Sequence, residues 1–112
     1  MAKLYIANAF SINMLSLLPG EKATVNIARI TLEFARQLVQ APFESAVGHE
    51  ATAQLLTAQL GVEVPYNRVS ISLAPGDTLI VAVPATRLPE GKVLSLEELQ
   101  SLPVHYFLVT VA

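Results

Sequence analysis

The sequence predicts a single α/β domain over residues 1–112, with α+β as the neighbouring class: a mixed sheet of five or six strands packed by two main helices and short helical turns. Three observations carry this prediction. Apolar runs of strand length recur at "KLYIAN", "LIVAV" and "VHYFLVTV"; two windows between them repeat apolar residues at helical spacing; and Pro-Gly pairs punctuate the chain in "LPGE" and "APGD". No internal repeat or low-complexity segment interrupts the pattern.

Residues 3–8, "KLYIAN", read as a first strand, because the run is too short for a free-standing helix. Residues 11–17 supply one or two helical turns, ended where Pro19 and Gly20 suit the central positions of a type II turn. In "ATVNIARI", residues 23–30, Val25, Ile27 and Arg29 share one face and Thr24, Asn26 and Ala28 the other, as in a strand exposed on one side. Thr31 caps a helix reaching Gln40, with Phe34, Leu38 and Ala41 at helical spacing and Pro42 as its stop. After a short strand at 43–47, Gly48 and His49 open a helix through Leu60. Thr52, Ala53, Leu56 and Leu60 form its inner stripe, Glu50, Gln54 and Gln59 its polar side, and Gly61 its C-terminal stop. "VSISLAPGDTLIVAV" reads as a hairpin: Val69, Ile71 and Leu73 alternate with Ser70 and Ser72, Pro75 and Gly76 turn the chain, and 78–83 return as an interior strand. Beyond "PATRLPEGKV", Ser95 and Glu98 make a capping box, with Leu94 and Leu99 as its staple, for a helix over 96–102. Pro103 stops it, and residues 104–111 form the last strand.

Composition narrows the function classes. Hydrophobic residues make up 53% of the chain and charged residues 14%, enough to build a core and to leave apolar surface for a homodimer partner. A net charge of -2 with seven Lys and Arg lacks the broad basic field that long nucleic acids require, so a phosphate ligand must be small and locally bound. The chain has no Cys, which removes disulfides and thiolate metal sites and agrees with a cytoplasmic protein. Asn8, Ser11, Asn13 and Ser16 break up the N-terminal apolar block, so it reads as structure rather than as a signal peptide. The longest uninterrupted apolar stretch, "LIVAVPA", is far below the ~18 residues of a membrane span, and no membrane association is expected.

Two widely separated His residues, no HExxH, no Gly-rich phosphate loop and no clustered Asp disfavour metal catalysis and triphosphate chemistry; no metal or cofactor is expected. What remains is a scatter of polar groups at element ends. Gly48 lets a ligand approach the backbone, the helix start offers free N–H groups, and the His49 ring can give or take a proton there. The competing reading makes His49 a core or cap histidine continuing the Thr52 stripe. His105 shares a strand face with Phe107, Val109 and Val111 and reads as structural. Arg68, Arg87 and Glu90 fit solvated loop chemistry as well as a site.

Taken together, "NAFSINML" at Asn8–Leu15, "GH" at Gly48 and His49, "NRV" at Asn67–Val69 and "RLPEGKVLS" at Arg87–Ser95 resemble the viral and prophage family of type III CRISPR antagonists, known also from a Sulfolobus turreted icosahedral virus. The resemblance spans most of the chain in the same order. It implies a homodimeric ring nuclease that binds cyclic tetra-adenylate and cuts it into short linear products without a metal. It further implies that His49 is the general acid, Ser11 and its neighbours position the reacting ribose, Arg87 neutralises developing phosphate charge and Glu90 orients the Arg or the His ring. Arg68 would grip a non-scissile phosphate, and Asn8, Ala9, Phe10, Ile12, Asn13, Gly48 and Asn67 would complete the ligand cradle. Two other readings stand beside it: a dimeric module that sequesters a cyclic oligonucleotide or a partner protein without cutting, and a structural interaction protein whose polar loops are turn and cap chemistry only.

Overall fold

The computed structural model describes residues 3–85 and 95–112. In chain order the elements are β1 (Leu4–Ala7), a 3-10 turn (Ile12–Leu15), β2 (Val25–Ile30), α1 (Leu32–Leu38), β3 (Glu44–Ala46), α2 (Glu50–Leu60), β4 (Thr78–Pro84), α3 (Leu96–Ser101) and β5 (Val104–Val111). The five strands form one mixed sheet in the order β2-β5-β4-β1-β3. β1 runs parallel to both β3 and β4, whereas β5 is antiparallel to β4 and β2. The α/β class, the mixed sheet and its two principal helices agree with the sequence prediction.

Among the described residues, helices cover one face of the sheet and none covers the other. Ile6, Ile80, Ala82 and Tyr106 pack on the covered face against Ala35 and Val39 from the α1 region and Ala53, Leu56 and Leu60 of α2. On the other face Tyr5, Ala7, Leu79, Val81, Val109 and Val111 are met by Leu73 and by Met14 and Leu15 of the 3-10 turn. Loop segments do there what a helix layer does on the opposite side. Ile27 accordingly stays 59% exposed.

The local signals worked as chemistry predicts. Gly20 and Gly76 have φ of +90° and +92°, the left-handed values that a type II turn demands of its third residue. Thr31 Oγ1 accepts the Phe34 N–H at 3.1 Å, and Ser95 and Glu98 form the reciprocal capping box. Leu94, the other half of the expected staple, lies outside the described residues.

Three expectations require correction. The segment 69–73 is not a strand of a hairpin. Both edges of β4 are occupied, by β1 and β5, so this segment instead crosses the helix-free face, where Leu73 N–H donates to the Met14 carbonyl at 2.6 Å and the Ser16 and Ser72 hydroxyls meet at 2.9 Å. In α1 the fully buried residue is Ala35, while Phe34 is 44% exposed. Gln59 is buried rather than solvent-facing: its amide donates to the Leu99 and Leu102 carbonyls at 3.1 and 2.6 Å and its Oε1 accepts from Tyr106 at 2.8 Å. It is the polar bolt that fixes α3 to the body.

Candidate functional site

Parallel strands deliver their carboxyl ends to one edge of a sheet, the place where open α/β folds bind ligands. Here Asn8 follows β1, and Val47, Gly48 and His49 follow β3. Asn8 Oδ1 accepts the Gly48 N–H at 3.1 Å and so ties the two strand ends together. Gly48 presents no side chain: a Cβ there would come 3.2 Å from Arg68 Cγ, so the aliphatic stem of Arg68 lies directly over its backbone.

His49 is the N-cap residue of α2, with extended φ and ψ of -135° and 120°. Its Nδ1 accepts the Thr52 N–H at 3.3 Å, and the Thr52 hydroxyl is 3.2 Å from the same nitrogen. An accepting Nδ1 places the proton of the neutral ring on Nε2. The ring is exposed, and the capping interaction uses one nitrogen while no group among the described residues bonds the other. The cap reading of His49 and the functional reading are thus compatible; the core reading is not.

Arg68 is positioned by the residue before it. Asn67 donates its backbone N–H to Val47 O at 2.9 Å and its Nδ2 to Ser45 O at 2.8 Å, and Ser45 Oγ donates to Pro65 O at 2.7 Å. These bonds bracket the 65–68 segment against the end of β3. Asn67 therefore holds the site's frame from behind Arg68 in sequence and is not among the residues that line the cleft.

These groups line a cleft of about 420 Å³. Asn8, Ala9, Gly48, His49 and Arg68 are the expected residues that meet there. Ala7, Met14, Ala46 and Val69 complete the wall, and Thr52 stands behind His49. Sequence reasoning did not assign these five to the site; the small Ala7 and Ala46 become wall residues only through β1–β3 pairing, whereas Thr52, three residues beyond a capping His, carried a local signal. Other expected residues lie apart from the lining. Ser11 caps the 3-10 turn, its Oγ accepting the Asn13 N–H at 3.3 Å; Phe10 packs on the core of the helix-free face; and Ile12 is 75% exposed. Arg87 and Glu90 are outside the described residues.

A larger cleft of about 800 Å³ lies between α2, residues 62–66 and α3, but its lining is mainly apolar with Glu50 and Glu63 and no basic side chain. The smaller one holds the imidazole and the guanidinium, and chemistry rather than size decides between them. Among the described residues no group of three or more His, Asp or Glu is placed to hold a metal ion. Nor is any described helix long and apolar enough to cross a membrane.

Fold and cleft together define a small α/β protein with a basic, partly open site at the carboxyl ends of parallel strands. The chain belongs to the STIV B116-like family, whose profile matches residues 4–108. It is 42% identical over 110 residues to an uncharacterized protein of Sulfolobus islandicus filamentous virus, covering 96% of this chain and 91% of that one. A second viral relative, an uncharacterized protein of Acidianus two-tailed virus, is 38% identical over 86 residues, 73% of this chain and 74% of the relative. The solved structure of B116 of Sulfolobus turreted icosahedral virus superposes with a TM-score of 0.77 at 30% identity, covering 97% of this chain and 99% of that one.

Proposed function

We propose that this protein is a metal-independent ring nuclease that binds cyclic tetra-adenylate in the host-cell cytoplasm, cleaves it to short linear oligoadenylates and so suppresses type III CRISPR defence. The observation that carries the reading is the meeting of an open His49 Nε2 with Asn8, Gly48 and Arg68 in one cleft. An acid–base group beside a cation is what phosphodiester cleavage without a metal needs, and the missing side chain of Gly48 makes room for the Arg68 stem next to the His49 cap rather than for the ligand.

In the proposed step the ribose 2′ oxygen attacks its adjacent phosphorus as the bond to the 5′ oxygen breaks. Protonated His49 gives its Nε2 proton to that departing oxygen, and the 2′ proton passes to solvent. The products carry a 2′,3′-cyclic phosphate and a 5′ hydroxyl. The Thr52 hydroxyl, 3.2 Å from Nδ1, donates to the resting neutral ring, whose proton is on Nε2, and accepts from Nδ1–H when the ring is charged and after Nε2 has given up its proton. Arg68 provides charge for a phosphate, while Ser11, Arg87 and Glu90 take the roles that the family resemblance implies, in holding the ribose in line, neutralising charge and orienting.

A homodimer is part of the proposal, because a cyclic tetranucleotide can share the twofold axis of two half-sites. Supporting it, Val69 in the cleft wall is 51% exposed and Ile12 of the 3-10 turn 75%, apolar surface beside the site that a second copy would cover. The test is incubation of purified protein with labelled cyclic tetra-adenylate in EDTA and chromatographic separation of products. Linear products ending in 2′,3′-cyclic phosphate are expected. Tight binding without cutting would instead identify the sequestering module, and neither binding nor cutting would overturn the proposal.

A further inference from the structure

The larger cleft has the opposite chemistry to the His49 site, and among the described residues the two share no lining group. Its floor is one stripe of α2 running from Glu50 through Ala53, Thr57 and Ala58 to Gly61, where small side chains leave a trough of about 800 Å³. Leu96 and Leu99 of α3 form one wall and residues 62–66 the other. Both walls are fixed in advance. Gln59 bolts α3 to α2, Thr57 Oγ1 accepts the Val64 N–H at 2.9 Å, and Tyr66 bridges to Val47 shortly before α2. Leu96 is nevertheless 62% and Tyr66 52% exposed, surface that a docked partner would cover.

Charge narrows the occupant. From residue 37 to residue 67 the chain has Glu44, Glu50 and Glu63 and no Lys or Arg, and α3 adds Glu97 and Glu98. Glu50 and Glu63 line the trough, and among the described residues neither carboxylate has a hydrogen-bond or ion-pair partner. Arg36 of α1 donates its Nε to the Gln59 carbonyl at 2.8 Å and does not line the trough. The Val64 bond sets Glu63 about level with Thr57, two helical turns or roughly 10 Å along α2 from Glu50. A cation at the Glu50 end would also meet the Tyr66 ring, whose face attracts positive charge. An apolar trough with carboxylates two turns apart matches a helix whose cations are two turns apart. No described helix of this chain has that pattern, since α1 carries Arg36 alone and α2 and α3 carry no Lys or Arg. The complementarity is therefore to a different protein rather than to a second copy.

We propose that this trough docks an amphipathic helix of a partner protein, its apolar face on α2, Leu96 and Leu99 and two Lys or Arg side chains, two turns apart, on Glu50 and Glu63. Docking there is independent of the proposed cleavage. The probe is a labelled helical peptide of about 18 residues with a leucine face and two flanking lysines two turns apart, compared with the same peptide carrying glutamates in their place. Anisotropy with the full chain gives Kd, and amide resonances locate the contact. The lysine peptide should bind at least about tenfold more tightly than the glutamate peptide and shift resonances of α2, residues 62–66 and α3. Glu63→Lys should weaken it about tenfold, and Ala58→Leu, which fills the trough floor, should weaken it as well, with Tm verifying that both variants fold. Equal affinity for the two peptides, resonance shifts elsewhere, or unchanged binding by Glu63→Lys would overturn the proposal. A dimer in sedimentation that Ala58→Leu dissociates would overturn it in favour of a second copy in the trough.

Discussion

Substitutions at Asn8 separate the frame of the site from its charge. Asn8 Oδ1 accepts the partly buried Gly48 N–H at 3.1 Å, the bond that joins the end of β1 to the start of the His49 cap. Asn8→Ala removes the acceptor and leaves that donor poorly satisfied, at a cost of about 1–2 kcal/mol, or roughly 4–10 °C in Tm for a domain of this size. Asn8→Asp is nearly the same shape and retains the acceptor, so its Tm should stay close to wild type. It adds a negative charge to a cleft assigned to phosphate. At ~6 Å and an effective dielectric between about 20 and 80, the repulsion is roughly 1–3 kcal/mol, or about 5- to 100-fold in Kd. Calorimetry supplies Tm, and titration with cyclic tetra-adenylate supplies Kd. An Asn8→Asp protein that is as stable as wild type and binds the ligand equally well would refute the placement of the anion in this cleft.

Two further perturbations test the scaffold. Asp77 accepts backbone N–H groups of Ala74 and Lys3, both at 2.9 Å, and these bonds, led by that from Ala74, hold its carboxyl below the usual carboxylate range although burial opposes them. A lowered folded-state pKa means that its stabilisation is complete above the unfolded carboxylate value near 3.8 and disappears as pH falls through the lowered one. Asp77→Asn should therefore reduce Tm at neutral pH and flatten the acid limb of a Tm-against-pH series; an unchanged limb would contradict this. Gln59→Leu leaves the Leu99 and Leu102 carbonyls and the Tyr106 hydroxyl without their partner, at about 2–4 kcal/mol in total. Hydrogen exchange should show protection lost first in α3, and uniform loss across the domain would argue against Gln59 as its attachment.

Much of the framework was legible because its signals are local. Pro-Gly pairs, the Thr31 and Ser95 caps and the apolar runs each act within a few residues. The 69–73 segment misleads for a physical reason: period-two alternation reports burial on one side, not pairing. Leu73 is buried against the sheet while Ser72 stays exposed, with β4 already paired on both edges. Gln59 misleads because its partners are Tyr106 and two carbonyls at the end of α3, some 40 residues away. Within the site, Gly48 and His49 stand out locally, whereas Ala7, Ala46 and Val69 acquire meaning only through strand register and the path of a distant loop. Asn67, expected to hold ligand, instead brackets Arg68 against β3.

The account turns on His49 as the proton donor, and single-turnover cleavage of labelled cyclic tetra-adenylate by His49→Ala tests this most directly. With Asn8, Gly48 and Arg68 intact, the variant should bind the ring with an affinity near wild type and cut it at least ~100-fold more slowly, the scale of a lost acid–base group. Cleavage at the wild-type rate would contradict the assignment.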